Sequence, residues 1–236
     1  MPITMNTAIV IPTLNEATVI SGLIEEILKY APEAHIIVGD SASTDNTAGI
    51  VNAWVKKSNR VHLLHIDKSL YGRAHADRRG MFYALQNGAQ YIFQMDADFS
   101  HHPKYIPVFL EAIQKYDIVI GSRLIPGGCI IRNNFTRNLI THLANAGIRI
   151  FLGLEIKDCT SGYRCYRSHA LKMIDLSTTI SSGPSLLEEL LFRGKKKGFT
   201  MREIPIVFHD RKSGQSKLRI NDMLQTLSSI IRFRFQ

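Results

Sequence analysis

The stretch YIFQMDADFSHHPK, residues 91–104, joins a predicted buried strand to a dense polar cluster. Its first part is mostly apolar, which is typical of a strand in the middle of a sheet, and we place that strand at 91–96. Two carboxylates, Asp96 and Asp98, lie at its end. Such a cluster is either a ligand-binding loop or an ordinary strand-end turn, in which aspartate is common.

Four other segments in the first half share the apolar, β-branched pattern and are predicted strands: 7–12, 35–40, 61–66 and 116–122. Helical periodicity fills the gaps between strands, at 19–28, 48–55, 73–85 and 104–113. This alternation predicts an α/β fold, with a mostly parallel sheet covered by helices on both faces.

Polar clusters follow three of these strands: PTLNE (12–16), GDSASTDNT (39–47) and DADFSHHP (96–103). Ligands of open α/β sheets bind beyond the carboxyl ends of the strands. We therefore expect the three clusters to meet in one crevice.

The second half is organised differently. A Gly-, Arg- and Asn-rich loop (123–137) leads into a helix carrying Phe135, Leu139, Leu143, Ala146 and Ile150. A polar turn (158–167), a helix (183–193), a strand (199–208), a charged loop (209–217) and a last helix (218–232) follow. We expect one domain over 1–236, with a nucleotide-sugar half at about 7–122, an acceptor half at about 123–217 and a C-terminal amphipathic helix at about 218–236.

The chain has 236 residues, 45% hydrophobic, and a formal charge of +9, which suits nucleic acid, an anionic membrane or phosphorylated small molecules. Nucleic acid is disfavoured: the basic run RGKKKG (193–198) is short, and carboxylates fill the expected crevice. The three cysteines are expected to be reduced thiols in the cytosol. We expect no signal peptide and no transmembrane helix.

The pair Asp96 and Asp98 suits a hard divalent cation, Mg²⁺ or Mn²⁺, with phosphate oxygens and water completing its shell. For His101 and His102, capping of the next helix or exposure to solvent is favoured over metal ligation. For Asp45 and Thr47, we expect helix capping at least as strongly as ligand contact. Asp40 differs, because a carboxylate at a strand end can accept hydrogen bonds from a base or ribose. A Walker lysine loop and G-x-G-x-x-G are absent from the sequence, which argues against a kinase or dehydrogenase.

The motifs IPTLNE, DSASTDNT, MDADFSHHPK, GSR, DCTSGYRCYR, EEL and IPIVFHDRKSGQSK occur in this order between residue 7 and about residue 220. This ordered set resembles the inverting family 2 glycosyltransferases, most closely the dolichol-phosphate mannosyltransferase group of polyprenyl-phosphate glycosyltransferases. The resemblance implies a GT-A (Rossmann-like) fold and a nucleotide-diphosphate sugar donor.

The resemblance also implies residue roles. Pro12, Asn15, Glu16, Asp40, Asp96 and Lys217 would bind the donor nucleotide. Asp96, Asp98 and Ser100 would hold the metal. Arg123, Arg137 and Arg211 would face the acceptor phosphate, and Glu189 would lie near the sugar. Asp96, Asp98, Arg123, Arg211 and Glu189 form the implied catalytic set, and the loop 209–217 with Arg211 and Lys217 would close over the phosphates as a lid.

The sequence departs from the family pattern at several places. Ser41 replaces a second aspartate, which leaves the base open, and Ser100 replaces a glutamine that contacts the metal. YGRAHADRRG (71–80) matches the usual Gly-rich helix start only loosely. GPSLLEEL (183–190) lacks the aromatic residue and glutamine before the glutamate.

The favoured function is metal-dependent transfer of a sugar, with mannose and GDP-mannose favoured, to a polyprenyl or dolichyl phosphate with inversion. The alternative is a family 2 enzyme with a UDP-sugar donor and a sugar hydroxyl acceptor, for which Asp158 or Glu189 would be the base. We expect a peripheral protein at the cytoplasmic face of the membrane, where the last helix binds the surface or packs on the core. A separate membrane-anchoring subunit is left open.

Overall fold

The computed structural model describes residues 6–67, 72–131, 134–210 and 220–235. Its strands are β1 Thr7–Thr13, β2 His35–Asp40, β3 Val61–His65, β4 Tyr91–Gln94, β5 Ile118–Ser122, β6 Cys129–Ile131, β7 Arg164–Arg167, β8 Met201–Pro205 and β9 Val207–His209. Its α-helices are α1 Ile20–Tyr30, α2 Thr47–Lys57, α3 Arg73–Gln86, α4 Ile106–Ala112, α5 Phe135–Leu152, α6 Ser168–Ile174, α7 Leu186–Lys196 and α8 Ile220–Arg234. Short 3-10 turns span Pro103–Tyr105 and Leu176–Thr178.

The main sheet confirms the predicted α/β class. Its strand order is β3-β2-β1-β4-β7-β5-β8, and β7 alone among these strands runs antiparallel to its neighbours. The chain moves outward from β1 to β3 and returns to β4 on the other side of β1. The boundary between β1 and β4 is therefore the point where ligands of such sheets bind.

The two faces of the sheet bury separate apolar cores because side chains alternate along each strand. In β1, Ile9 and Ile11 pack with α1, α2 and α4, whereas Ala8 and Val10 pack with α3, α6 and α7. Helix α3 lies very close to β1 at Gly80, where a Cβ atom would come within 2.4 Å of Val10 Cγ1. Helices thus cover both faces, as the sequence pattern predicted.

Several predicted elements differ from the structure, and the predicted loop 123–137 contains the short strand β6. The predicted strand 199–208 is two strands, because Ile206 hydrogen-bonds to both Ser122 and Cys129 and diverts the chain from the main sheet to a small β6–β9 sheet. The predicted helix 104–113 begins as a 3-10 turn at Pro103. The predicted polar turn 158–167 contains β7, a strand in the middle of the sheet.

Helix α5 projects most of its apolar side chains outward. Phe135, Leu143 and Ile150 are 82%, 63% and 80% exposed, and the buried side chains of this helix are Asn145 and Leu152. Helix α8 is divided: Ile230 and Phe233 pack on the core, whereas Leu227 and Ile231 are about half exposed. Within the described ranges, the search for a helix with the length and apolar character of a bilayer span finds none.

Candidate active site

The loops after β1 and β2 are joined by the side chain of Asn15. Its Oδ1 accepts hydrogen bonds from the backbone N–H of Thr44 (2.8 Å) and of Asp45 (3.3 Å), and its own N–H donates to Ser43 Oγ (2.9 Å). Asn15 has a φ of 57°, in the left-handed region that asparagine tolerates better than most residues. The first two polar clusters therefore meet, as expected.

Asp40 lies at the bottom of this junction and is buried. Its carboxylate accepts hydrogen bonds from the Ser43 N–H (3.1 Å), the Ser43 hydroxyl (2.5 Å) and the Thr13 hydroxyl (3.3 Å). These donors fix its orientation at the end of β2, and a carboxylate can accept about four hydrogen bonds. Its contact with a base stays a prediction.

The other residues of this junction are mainly structural. Asp45 accepts a hydrogen bond from the N–H of Thr47, the first residue of α2, and Thr47 in turn accepts one from the Glu16 N–H at 2.9 Å. The N-cap of α2 is Asn46, so neither Asp45 nor Thr47 is the capping residue expected from the sequence, and their contacts instead join the loops after β1 and β2. Pro12 and Glu16 are half-buried at the end of β1 and just after it.

All three loops contain one non-glycine residue with positive φ: Asn15 (57°), Ala42 (56°) and Phe99 (60°). A left-handed residue costs about 1–2 kcal/mol relative to a right-handed one. Strain of this kind concentrates at functional sites, where the surrounding contacts impose it. The three left-handed residues therefore indicate a functional crevice at these loops without reference to the acidic residues.

Asp96 and Asp98 follow β4 and are half-buried. The carboxylate of Asp98 accepts hydrogen bonds from both the N–H (3.1 Å) and the hydroxyl (2.5 Å) of Ser100. Ser100 thus orients Asp98, and its metal contact stays a prediction.

Arg73 is a cation of this site that the sequence reasoning missed. Its guanidinium forms an ion pair with Asp96 Oδ1 and a second with Asp77 Oδ2 at 3.4 Å. A Cβ atom on Gly162 would come within 2.6 Å of Arg73 Nη2, so Gly162 leaves room for the guanidinium. The spacing of Arg73 and Asp77, four residues apart on a predicted helix, was the available signal.

The two histidines of the cluster behave differently. His102 accepts a hydrogen bond from the Lys104 N–H and caps the 3-10 turn, as favoured. His101 neither caps nor faces solvent, which corrects the expectation for this residue. It is buried, stacks on Tyr163, and accepts the Asp96 N–H at Nδ1, while burial lowers its pKa and favours the neutral ring.

The chemistry of the donor set fits a hard divalent cation. Asp96 and Asp98 offer carboxylate oxygens at the carboxyl end of a central strand, and a small hard cation takes few protein ligands when phosphate oxygens and water complete its shell. Among the described residues, no cluster of three or more His, Cys, Asp or Glu side chains is suited to metal binding. This donor set matches a cation held together with a diphosphate better than a closed structural site.

Directly after β5, Arg123 is fixed by Asp158, a fully buried residue. The guanidinium donates to both carboxylate oxygens, from Nε to Oδ2 (2.7 Å) and from Nη2 to Oδ1 (2.6 Å), and Nη2 also donates to Thr160 Oγ1. The guanidinium lies 5.3 Å from the centre of the Phe208 ring. Arg123 is thus oriented by the structure beside the crevice.

The remaining predicted phosphate-binding residues are partly outside the described chain. Arg137, in the first turn of α5, lies 3.5 Å from Asp210. Arg211, Lys217 and the predicted lid beyond residue 210 lie outside the described residues. Their roles stay predictions.

Glu189 is completely buried in α7 and is engaged on both oxygens. It accepts hydrogen bonds from the Ile180 N–H (3.1 Å) and the Ser181 N–H (2.9 Å) and pairs with Arg193 at 2.8 Å. This geometry makes Glu189 an anchor of the segment before α7, and its position near the sugar stays a prediction.

Burial raises the pKa of its neighbour Glu188 to about 7, although Arg164 opposes the shift.

The family model described as glycosyl transferase family 2 matches residues 8–174. Two curated relatives are similar over nearly the whole chain. The undecaprenyl-phosphate mannosyltransferase of Micrococcus luteus is 35% identical over 215 residues, covering 91% of this chain and 88% of the relative. The polyprenol monophosphomannose synthase of Mycolicibacterium smegmatis is 33% identical over 229 residues, covering 96% and 86%.

Solved structures of glucosyl-3-phosphoglycerate synthase from Mycobacterium tuberculosis share the fold. The complex with Mn²⁺, UDP-glucose and phosphoglyceric acid has a TM-score of 0.68 at 16% identity, covering 98% of this chain and 80% of the other. The complex with Mn²⁺, UDP and phosphoglyceric acid has a TM-score of 0.71 at 16% identity, covering 98% and 78%. At this identity the likeness concerns the fold alone.

Proposed function

The chain belongs to glycosyl transferase family 2 and has the GT-A fold, and from this premise we propose that it transfers mannose from a nucleotide-diphosphate sugar to a polyprenyl phosphate. The names of the two curated relatives support this acceptor and this sugar. GDP-mannose is the donor we favour. The division into a donor half before residue 123 and an acceptor half after it is part of the proposal.

One observation favours a phosphate acceptor over a hydroxyl acceptor. The two carboxylates that the hydroxyl mechanism would use as a base, Asp158 and Glu189, are completely buried, and each has both oxygens engaged by hydrogen-bond donors. A hydroxyl must lose its proton to a general base during attack. A phosphate monoester, with a second pKa near 6, is already mostly dianionic at neutral pH and needs none.

The donor's leaving group would lie at the carboxyl ends of β1 and β4. Asp96 and Asp98 would hold a Mg²⁺ or Mn²⁺ ion there, with Ser100 orienting Asp98 and Arg73 orienting Asp96. Such a cation neutralises the charge of the departing diphosphate, which is worth several kcal/mol in the transition state. Asp40, Pro12, Asn15 and Glu16 would surround the nucleotide on the β2 side.

The chemical step proposed is a direct displacement. An oxygen of the acceptor phosphate forms a bond to the anomeric carbon while the bond from that carbon to the diphosphate oxygen breaks, releasing the nucleoside diphosphate. Attack opposite the leaving group inverts the configuration. Arg123 suits the acceptor phosphate because Asp158 fixes its orientation, and hydrogen bonds to charged groups are worth roughly 1.5–3 kcal/mol each.

A lipid acceptor also requires access to a bilayer, and we propose peripheral binding at its cytoplasmic face. Helix α5 contains no Asp or Glu and exposes Phe135, Leu143 and Ile150 together with Arg149. The end of α8 lies next to it, since Arg234 donates a hydrogen bond to the Phe151 carbonyl. Apolar and basic side chains on one surface suit an anionic membrane, and each basic residue near it contributes about 1 kcal/mol.

The test is a donor screen. Purified protein, Mn²⁺ and a short polyprenyl phosphate are incubated with a panel of GDP- and UDP-sugars, and the lipid product is identified by mass spectrometry. We expect a mannosylated polyprenyl phosphate, with GDP-mannose as the best donor. A panel in which no sugar reaches the lipid would reject the proposal, and preference for another sugar would reject its mannose part.

A further inference from the structure

The first turn of α7 holds a buried carboxyl group that the proposed mechanism does not use. Glu188 is only 3% exposed, and its Oε2 is shielded from solvent and has no hydrogen-bond partner among the described residues. Such an oxygen is costly to bury, because it has lost its contacts with water and has gained none in exchange. A ligand that supplies the missing hydrogen-bond donor would remove this cost.

Arg164 sets the position of this carboxyl group in the fold. Its guanidinium donates hydrogen bonds to carbonyl oxygens of the turn 159–162 and to the carbonyl oxygen of Leu187, the residue before Glu188. The beginning of α7 is therefore attached to that turn.

The turn 159–162 in turn contacts both sides of the candidate site. Thr160 Oγ1 accepts a hydrogen bond from Arg123 Nη2 at 2.7 Å. A Cβ atom on Gly162 would come within 2.6 Å of Arg73 Nη2 and 3.3 Å of Asp96 Oδ1. The turn therefore lies between the residue proposed for the acceptor phosphate and the residues proposed for the leaving group.

The charges around Glu188 agree with this position. Burial raises its pKa, Arg164 and Arg73 lower it, and Asp158 raises it further. The carboxyl group is thus within electrostatic range of one member of the ion pair on the metal side and one member of the ion pair on the acceptor side. In a direct displacement the transferred sugar lies between the leaving diphosphate and the attacking phosphate, so Glu188 adjoins the space that the sugar occupies.

A second buried group without a partner lies on the segment before α7. Ser181 is completely buried, and its Oγ has no hydrogen-bond partner among the described residues. The backbone of Ser181 is fixed on both sides: its N–H donates to Glu189 at 2.9 Å, and its carbonyl oxygen accepts from Arg78 of α3 at 2.7 Å. Glu189 therefore positions Ser181, while the Ser181 hydroxyl itself is left for another partner.

We propose that Glu188 and Ser181 hydrogen-bond to hydroxyl groups of the transferred sugar and thereby contribute to the choice of donor. The inference rests on the proposed function and deepens it, because the family resemblance implies a sugar-side role for Glu189, whereas the oxygen without a partner belongs to Glu188. A sugar hydroxyl can both donate and accept a hydrogen bond, so it can pair with a carboxylate and with a serine.

The experiment measures binding of GDP-mannose and of GDP by isothermal titration calorimetry, each with Mn²⁺ and without acceptor. Glu188→Leu removes the hydrogen-bonding atoms and keeps an apolar side chain in a buried position. It is expected to weaken GDP-mannose binding by roughly tenfold or more and to leave GDP binding nearly unchanged, because only GDP-mannose has the sugar. Ser181→Ala should weaken GDP-mannose binding alone by about threefold. Glu111→Leu, at an exposed position on α4, is the control and should change neither affinity.

A panel of GDP-mannose analogues, each lacking one hydroxyl group, identifies the contact. One analogue should bind the wild-type protein about tenfold more weakly than GDP-mannose, because a site built to pair with a hydroxyl rejects a ligand that lacks it. The same analogue should bind Glu188→Leu as tightly as GDP-mannose does, since the variant has no contact left to lose.

Contrary results overturn the inference in recognisable ways. Equal weakening of GDP-mannose and GDP by Glu188→Leu would mean that Glu188 only supports the fold of the site. Unchanged GDP-mannose affinity with lost transfer would assign Glu188 to the chemical step instead. In both cases a wild-type protein that mannosylates polyprenyl phosphate leaves the proposed function standing. A wild-type protein that binds GDP but not GDP-mannose would reject the mannose part of the proposed function together with the inference.

Discussion

Arg123 and Asp158 form a two-pronged ion pair, with Nε–Oδ2 at 2.7 Å and Nη2–Oδ1 at 2.6 Å. Asp158 is fully buried and the Arg123 side chain is only 9% exposed. The Asp158 N–H and that of Lys157 are in turn bound by the Glu203 carboxylate on β8. The cation beside the proposed acceptor site is therefore fixed by the sheet itself.

Breaking this pair should destabilise the fold. Asp158→Ala leaves a buried guanidinium without its partner and is expected to lower the free energy of unfolding by about 3–5 kcal/mol. A double-mutant cycle with Arg123→Met, measured by urea unfolding, should show a coupling energy of about 1–3 kcal/mol. Strictly additive effects would mean that the pair contributes no specific stabilisation.

Gly162→Ala should displace Arg73 from Asp96, because the added methyl group would lie 2.6 Å from Arg73 Nη2. We expect kcat/KM to fall at least tenfold, about 1.4 kcal/mol of transition-state binding. Gly147→Ala in α5 is the control, since no atom lies within 4 Å of its added methyl group. If Gly162→Ala keeps full activity, the Arg73–Asp96 contact has no catalytic importance.

Asp98→Ala should abolish transfer with little change in melting temperature, since Asp98 is partly exposed and its side chain hydrogen-bonds to Ser100 of the same loop. The variant should also bind Mn²⁺ more weakly in the presence of nucleoside diphosphate, as measured by electron paramagnetic resonance. Full activity of the wild-type protein in excess EDTA, or unchanged Mn²⁺ binding by the variant, would contradict the metal hypothesis.

Glu188 should make the protein less stable as the pH rises. Its pKa is about 7 in the folded protein, raised by burial from an ordinary value near 4.5, so folding favours the protonated form. The associated stability is complete below pH 4.5 and is lost as the pH rises towards and through 7, a change on the order of 3 kcal/mol.

Glu188→Gln removes this titration and should raise the melting temperature more at pH 8 than at pH 5. Glu25→Gln, an exposed position on α1, is the control and should show no such difference. A pH-independent effect of Glu188→Gln would show that Glu188 is not the group responsible.

The exposed face of α5 should bind anionic membranes. Replacing Leu143 and Ile150 together by serine is expected to weaken sedimentation with anionic liposomes at least tenfold, because two large apolar side chains no longer enter the bilayer interface. Val108→Ser, at an exposed apolar position on α4, is the control. Equal binding by the double variant and the wild type would exclude this face.

The sequence predicted the layered α/β fold well because β1, β2, β4 and β5 are continuous apolar runs separated by amphipathic helices. It missed β7 for a physical reason. Arg164 and Arg167 are the first and last residues of this four-residue strand, and charged ends are not typical of a central strand. Arg164 is buried there only because backbone carbonyls of Ser161, Cys159 and Leu187 accept hydrogen bonds from its guanidinium.

The candidate site was predictable where a motif lies at a strand end and less so elsewhere. Asp40, Asp96 and Asp98 are at the predicted edge of the sheet. The spacing of Arg73 and Asp77 on one helix was visible in the sequence, but the contact of Arg73 with Asp96 was not, because it depends on the packing of α3 against β1 and β4. The engagement of Asp158 by Arg123 likewise depends on a contact between distant segments, which spacing along the chain does not reveal.

The measurement that tests the account most directly compares acceptors at a fixed donor. One reaction contains GDP-mannose, Mn²⁺ and three competing acceptors. The acceptors are a short polyprenyl phosphate, the matching polyprenol and an alkyl mannoside, and the products are quantified by mass spectrometry. The account predicts that mannose is found on the polyprenyl phosphate and that the two hydroxyl acceptors remain unmodified. Transfer to the mannoside or the polyprenol, with none to the polyprenyl phosphate, would contradict it.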